Sequence, residues 1–301
     1  MTLPLSLGAE VADALSAGRA VVALESTIIS HGLPRPDNLT AAREFEAIVR
    51  DAGATPATIA VLDGVPHVGL SDAEVERIAM EDMAKASVRD LAVLAARGGS
   101  GATTVAATAH LGAAAGIRVF ATGGLGGVHR GAIETYDESA DIPTLGVTRM
   151  AVVCAGVKSV LDIGATLERL ESLSVPVIGY RTDEFPAFWL HSSGIALDWR
   201  LDSPEEFAAV LHAQDADSPR GLIVANPIST ELQWDPAEHD RVLAESFAAA
   251  EAAGVRGKAV TPFLLGDIVE RSGGRSLEVN LDLVRSNIRL ASEIAVAYAG
   301  R

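Results

Sequence analysis

Three lysines stand among the chain's 24 basic residues, Lys85, Lys158 and Lys258; the other 21 are arginine. Where arginine supplies positive charge so generally, a retained lysine points to something a guanidinium cannot offer, an amine able to lose its proton. Lys158 is the strongest candidate, because it lies in the apolar run VVCAGVKSV at positions 152–160. Burial disfavours the charged ammonium, and the neutral amine that remains is a nucleophile able to form a Schiff base with an aldehyde. The competing reading is a lysine that opens a helix and extends its head to solvent.

Other segments carry groups suited to the same chemistry. In ALESTIISHGLPRP (23–36), Glu25 follows a buried strand, where an α/β sheet opens toward its ligand. Apolar flanks raise a carboxyl pKa and suit it to donate a proton; the alternative is a glutamate that caps a helix. His31 can assist such a site or serve only as hydrogen-bonded structure. In KASVRDLAVLAARGGSGATTVAATAHL (85–111), Gly98, Gly99 and Gly101 lead to Thr103 and Thr104 at an expected helix start. Helix-terminal N–H groups with Lys85 and Arg89 would suit a phosphate, although neither a P-loop nor a dinucleotide fingerprint is present. In RVFATGGLGGVHRGAIETYDESAD (118–141), four glycines precede His129, Arg130, Glu134, Asp137, Glu138 and Asp141. These carboxylates could share a divalent cation or form a solvated acidic loop. Asn280 and Asn287, seven residues apart, share one helical face and could present two amides to a polar ligand or to water.

Positioning these groups falls to alternating elements. Strands are expected at Ala20–Leu24, Thr58–Leu62, Val65–Val68, Arg118–Ala121, Ala151–Cys154, Val177–Tyr180 and Leu222–Ala225, mostly apolar runs that all contain β-branched residues. Helical spacing marks Asn38–Ala52, Asp72–Met80, Val88–Arg97, Thr103–Ala115, Val160–Leu173 and Pro204–Ala213. Three further helices follow at about Pro236–Ala253, Pro262–Ser272 and Leu277–Ala299. Asp37, Ser71 and Ser203 read as N-caps, and Asp63-Gly64 as a hairpin turn. The alternation predicts an α/β fold, a three-layer α/β/α sandwich around a mixed, mostly parallel sheet, in a single domain over 1–301.

Composition narrows the class. The chain is 49% hydrophobic but only 4% aromatic, so small aliphatic residues must build the core. A formal net charge of −16 argues against a nucleic-acid polymer, yet leaves room for one small anion. One cysteine, Cys154, excludes an internal disulfide and fits a reducing compartment; its place at a strand end suits packing better than catalysis. Neither a signal peptide nor an apolar span is read, so a cytoplasmic protein is expected.

Nine segments in order, ALESTIISHGLPRP, KASVRDL, TTVAAT, FATGGLGGVHRGA, ESAD, VVCAGVKSVLDIGAT, VIGY, VANPI and TPFLL, closely resemble the pseudouridine-5′-phosphate glycosidase, or indigoidine synthase A-like, family. The likeness runs from about Ala20 to Tyr298. It implies reversible cleavage of the C–C glycosidic bond of pseudouridine 5′-phosphate to uracil and ribose 5-phosphate. It also implies a homotrimer and a divalent metal such as Mn2+, with Mg2+ or Fe2+ sharing the same oxygen ligands. By the family pattern Lys158 is the nucleophile and Glu25 the proton donor. Lys85, Val105, Ser139, Ala140 and Asp141 contact substrate, and Asp137 holds the metal. His129 and Asn280 fall in matching segments and are carried over as further substrate contacts. The rival readings are another Schiff-base lyase or aldolase on a sugar phosphate, and a non-catalytic nucleotide-binding accessory protein.

Overall fold

The computed structural model describes residues 4–256 and 260–300; Lys258 lies outside them. The strands are β1 (Ser6–Leu7), β2 (Val21–Leu24), β3 (Thr55–Leu62), β4 (Val65–Val68), β5 (Ala84–Ala86), β6 (Gly101–Thr103) and β7 (Val119–Ala121). They continue with β8 (Val128–His129), β9 (Ala151–Cys154), β10 (Leu161–Asp162), β11 (Val177–Tyr180), β12 (Arg200–Leu201) and β13 (Leu222–Ala225). Eleven of them form one sheet in the order β1-β4-β3-β2-β7-β9-β13-β11-β12, with β6 on β3 and β5 on β6. From β3 to β12 the main path is parallel, while β4 and β6 run antiparallel to β3.

The sequence explains the parallel centre. VVAL, AVVC and LIVA are apolar at every position, and in β2, β9 and β13 every residue is buried. That is the pattern of strands covered on both faces. Helix Arg275–Ala299 packs on β2, β7 and β9, presenting Val279, Leu283, Val284, Ile288, Ala291 and Ala295 at helical spacing. Helix Val105–Ala114 packs on β2, β3, β4 and β6. Its alanines and Gly112 let it approach closely: a Cβ on Gly112 would lie 3.0 Å from Met150 and 3.6 Å from Ala23. Helices therefore cover both sides of the sheet, as expected.

Several boundaries differ from expectation. Helix Ile163–Ser172 starts after β10, not at Val160, because Asp162 caps it by accepting from Ala165 N at 2.9 Å. Pro36, not Asp37, occupies the N-cap of helix Asp37–Asp51. Ser71 and Ser203 form capping boxes with Glu74 and Glu206, and Asp63-Gly64 turns β3 into β4 with both residues at positive φ. Gly98 ends helix Val88–Arg97 in the left-handed conformation, and Gly101–Thr103 is strand, so the glycines turn the chain.

Candidate active site

Glu25, Thr122, Cys154 and Asn226 each stand at or just past the end of a parallel strand, β2, β7, β9 and β13. This carboxyl edge is where α/β sheets open to ligands. A hollow of about 390 Å³ lies there, and Glu25, Lys85, Val105, His129, Asp137, Ser139, Ala140, Asp141 and Lys158 all line it. The same hollow takes in Thr104 and residues not singled out from sequence, among them Thr27, Ser87, Pro143, Leu161 and Thr261. All but Pro143 fall inside the segments that carry the family likeness, which was the available signal.

Glu25 is only 9% exposed. Burial raises its carboxyl pKa above the ordinary value, and the Lys158 charge and a hydrogen bond from Thr122 Oγ1 partly offset this. The residues after it fix the turn: Ser26 Oγ donates to Ile59 O at 2.7 Å and accepts from Thr103 N at 2.8 Å. Thr27 Oγ1 donates to Thr103 O at 2.7 Å. Ser26 and Thr27 after Glu25 are thus short hydroxyl side chains that satisfy backbone groups where β2 leaves the sheet.

Lys158 does not open a helix. It sits in the loop after β9, its N–H donating to Leu125 O at 3.1 Å and its carbonyl accepting from Leu161 N at 2.9 Å. Val157, Ser159 and Val160 beside it are buried, while Lys158 itself is half-buried with its side chain on the hollow. Lys85, at the centre of β5, exposes much of its side chain, yet the surrounding protein still holds its ammonium pKa below the ordinary value. The Lys158 charge pushes the same way, and Glu25 and Asp141 oppose it.

The glycine-rich segment and the ESAD segment lie side by side. His129 N donates to Asp137 O at 3.0 Å and Ser139 N to Gly127 O at 3.0 Å. β8 also pairs antiparallel with β10, setting His129 opposite Leu161. The four carboxylates that could share a cation are not gathered about one point. Asp141 accepts from Ala106 N at 2.9 Å and Gly126 N at 2.8 Å, and Glu138 pairs with Arg169 at 2.9 Å. Glu134 is exposed and does not line the hollow. Asp137 remains, with Oδ2 3.7 Å from His129 Nδ1. Among the described residues no three His, Cys, Asp or Glu side chains form a metal-ligand set. The site therefore suits only the sparse binding of a hard cation, through one carboxylate with water and substrate oxygens.

The helix start at Thr104 also differs from the expected phosphate site, since Asp141 takes the Ala106 amide and Thr104 Oγ1 accepts from Ala107 N at 3.4 Å. Lys85, Ser87 and Arg89 instead gather at the start of helix Val88–Arg97 and line the hollow. Asn280 does not line it; its Oδ1 is buried without a hydrogen-bond partner beside Gly123. Asn287 is fully buried and bonded to backbone. His31, also off the hollow, has its pKa lowered by desolvation and by Lys85. Cys154 is fully buried, its thiol pushed up to about 12 by burial, as suits a packing role. A second hollow, about 290 Å³, is lined by Glu10, Glu46, Arg50 and Glu74, with no lysine or histidine to act as nucleophile or base.

This constellation, a lysine and a desolvated carboxyl at the carboxyl edge of a mostly parallel sheet, defines a class of lysine-bearing α/β proteins. Residues 10–297 match the family described as indigoidine synthase A like protein, and the chain belongs to that family. A Salinispora tropica protein named pseudouridine-5′-phosphate glycosidase is 61% identical, the match covering 100% of this chain and 94% of that one. A Saccharopolyspora erythraea protein of the same name is 56% identical over 99% of this chain and 100% of its own length. Among solved structures, the prealnumycin C-glycosynthase AlnA in complex with ribulose 5-phosphate superposes with a TM-score of 0.92 at 37% identity, covering 100% of this chain and 98% of AlnA. An indigoidine synthase A-like protein from Thermotoga maritima gives 0.88 at 36%, covering 99% and 97%.

Proposed function

We propose that this chain reversibly cleaves the C–C glycosidic bond of pseudouridine 5′-phosphate to uracil and ribose 5-phosphate, through a Schiff base on Lys158 with Glu25 as proton donor. The observation that carries the reading is a single hollow holding both the half-buried amine and the desolvated carboxyl. The names of the relatives support the substrate, and the sugar-phosphate complex of AlnA supports its phosphorylated pentose half.

A C-glycoside lacks a leaving oxygen or nitrogen, so the usual pair of carboxylates working through a glycosyl cation suits it poorly. A neutral Lys158 amine instead attacks C1′; the C1′–O4′ bond breaks and O4′ takes up the proton that the nitrogen sheds. The nitrogen lone pair then forms C=N as the C1′–C5 bond breaks, its electron pair passing to uracil C5, which takes a proton from Glu25. Water hydrolyses the protonated imine, freeing the aldehyde of ribose 5-phosphate and the amine, and the proton left over returns to Glu25. One water is consumed overall. Lys85, Ser87 and Arg89 meet the phosphate, where ammonium, hydroxyl and helix-terminal N–H groups favour an anion. Val105, His129, Ser139 and Ala140 contact the remaining substrate, and Asp141 does so held rigid by two amides. Asp137 is the protein ligand offered to Mn2+, which would neutralise charge on the bound sugar phosphate.

Uracil release, followed by absorbance with and without chelator, tests the activity and the ion together. Borohydride with ribose 5-phosphate should add mass at Lys158. Lys158→Arg keeps the charge but loses the nucleophile, and is expected to lower turnover by at least about a thousandfold. An arginine variant near wild-type activity would sink the amine mechanism.

A further inference from the structure

Two features have no part in the chemistry above: the buried amide of Asn287 and the VANPI segment that carries Asn226. Both lead to Glu25. Asn226, just past β13, donates from Nδ2 to Asn287 Oδ1 at 2.9 Å. Asn287 Nδ2 donates in turn to Thr122 O at 2.8 Å and Gly123 O at 3.3 Å. Thr122 N donates to Val153 O at 3.0 Å, so its backbone is gripped from both sides. Its hydroxyl donates to Glu25 Oε1. Asn226, Asn287, Thr122 and Glu25 are 6%, 0%, 2% and 9% exposed, so water does not compete along the line.

A β-branched side chain on a fixed backbone has few rotamers, which aims the Thr122 hydroxyl. A buried polar chain satisfied at every member is rigid, and each link is costly to leave open. We propose that Thr122, braced by Asn287 and Asn226, is the positioning residue for Glu25, holding one carboxyl oxygen so that the other faces the substrate. This rests on the reading of Glu25 as proton donor. The charged groups acting on Glu25 are Lys158 from the loop after β9, Asp141 from the helix Asp141–Leu145 and Lys85 from β5. None of them donates a hydrogen bond to Glu25, so Thr122 sets the orientation of the carboxyl while they set its field.

The test titrates Glu25 directly, by infrared difference spectra of protein with 13C-carboxyl-labelled glutamate, with Glu25→Gln identifying the signal. In Thr122→Val, of nearly the same shape, the hydrogen bond to the charged form is gone, so the Glu25 midpoint should move to higher pH. Turnover of pseudouridine 5′-phosphate should fall by about tenfold with KM little changed, and Thr122→Ser should restore both. A midpoint unmoved in Thr122→Val, with Glu25→Gln inactive, overturns the assignment to Thr122 alone. Near wild-type turnover in Glu25→Gln overturns the reading of Glu25 on which it rests.

Discussion

At the scale of single residues, the site places a carboxyl where ionisation is disfavoured. The folded pKa of Glu25 is raised, so folding favours the protonated form, and stability falls as pH rises from the unfolded toward the folded value. Glu25→Gln has no such interval. The variant should therefore gain on the wild type as pH rises, with urea midpoints nearly equal at about pH 4 and the variant higher at about pH 8. An equal difference at both would show that burial does not dominate. Glu25 and Lys158 were legible in the sequence because a charged residue within an apolar run is conspicuous. Thr122 was not, since a threonine at a strand end looks the same whether its hydroxyl meets a carboxylate or a carbonyl. Asn287 was noticed for its spacing, but only the fold shows that its amide meets strand-end carbonyls.

At the scale of elements, the hollow depends on a clip between three segments. Asp141 ties the start of helix Val105–Ala114 to the loop at Gly126. A Cβ on Gly126 would strike Ser139 Oγ and come within 2.7 Å of Asp141 Oδ2. Gly126→Ala should cost about 1–3 kcal/mol, measured by urea unfolding, and should lower uracil release as the clip opens. Unchanged stability and turnover would mean that the loop yields freely. Long apolar strands and amphipathic helices were legible because burial on both faces, or on one stripe, writes itself into residue type. β5 was not: AKA has no β-branched residue and is too short for its alternation to register, and its partner β6 opens with a glycine. That pair exists because β3 offers β6 an edge through Ala60–Ala102 and Val61–Gly101, a tertiary fact. It matters for function, since β5 carries Lys85.

At the scale of the molecule, the eleven-stranded sheet runs without a break beneath the site; the main apolar cluster extends from Val11 to Ala295, and a smaller one around Ile29, Ile78 and Met83 packs beside the same strand β3 through Ala60 and Leu62. We propose one domain over 1–301 and expect one calorimetric unfolding transition, with calorimetric and van't Hoff enthalpies in agreement per cooperative unit. Two separated transitions would argue for two units. A homotrimer, implied by the family likeness, predicts a light-scattering mass three times that of the chain. No described helix is long and apolar enough to cross a membrane.

The burial of the chain's one thiol has a practical consequence. Cys154 is sealed behind a strand end, so maleimide reagents meet no native competitor on the folded protein. Tyr136, 87% exposed and next in sequence to Asp137 of the hollow, is then a natural point at which to attach a single dye by Tyr136→Cys without any prior cysteine removal.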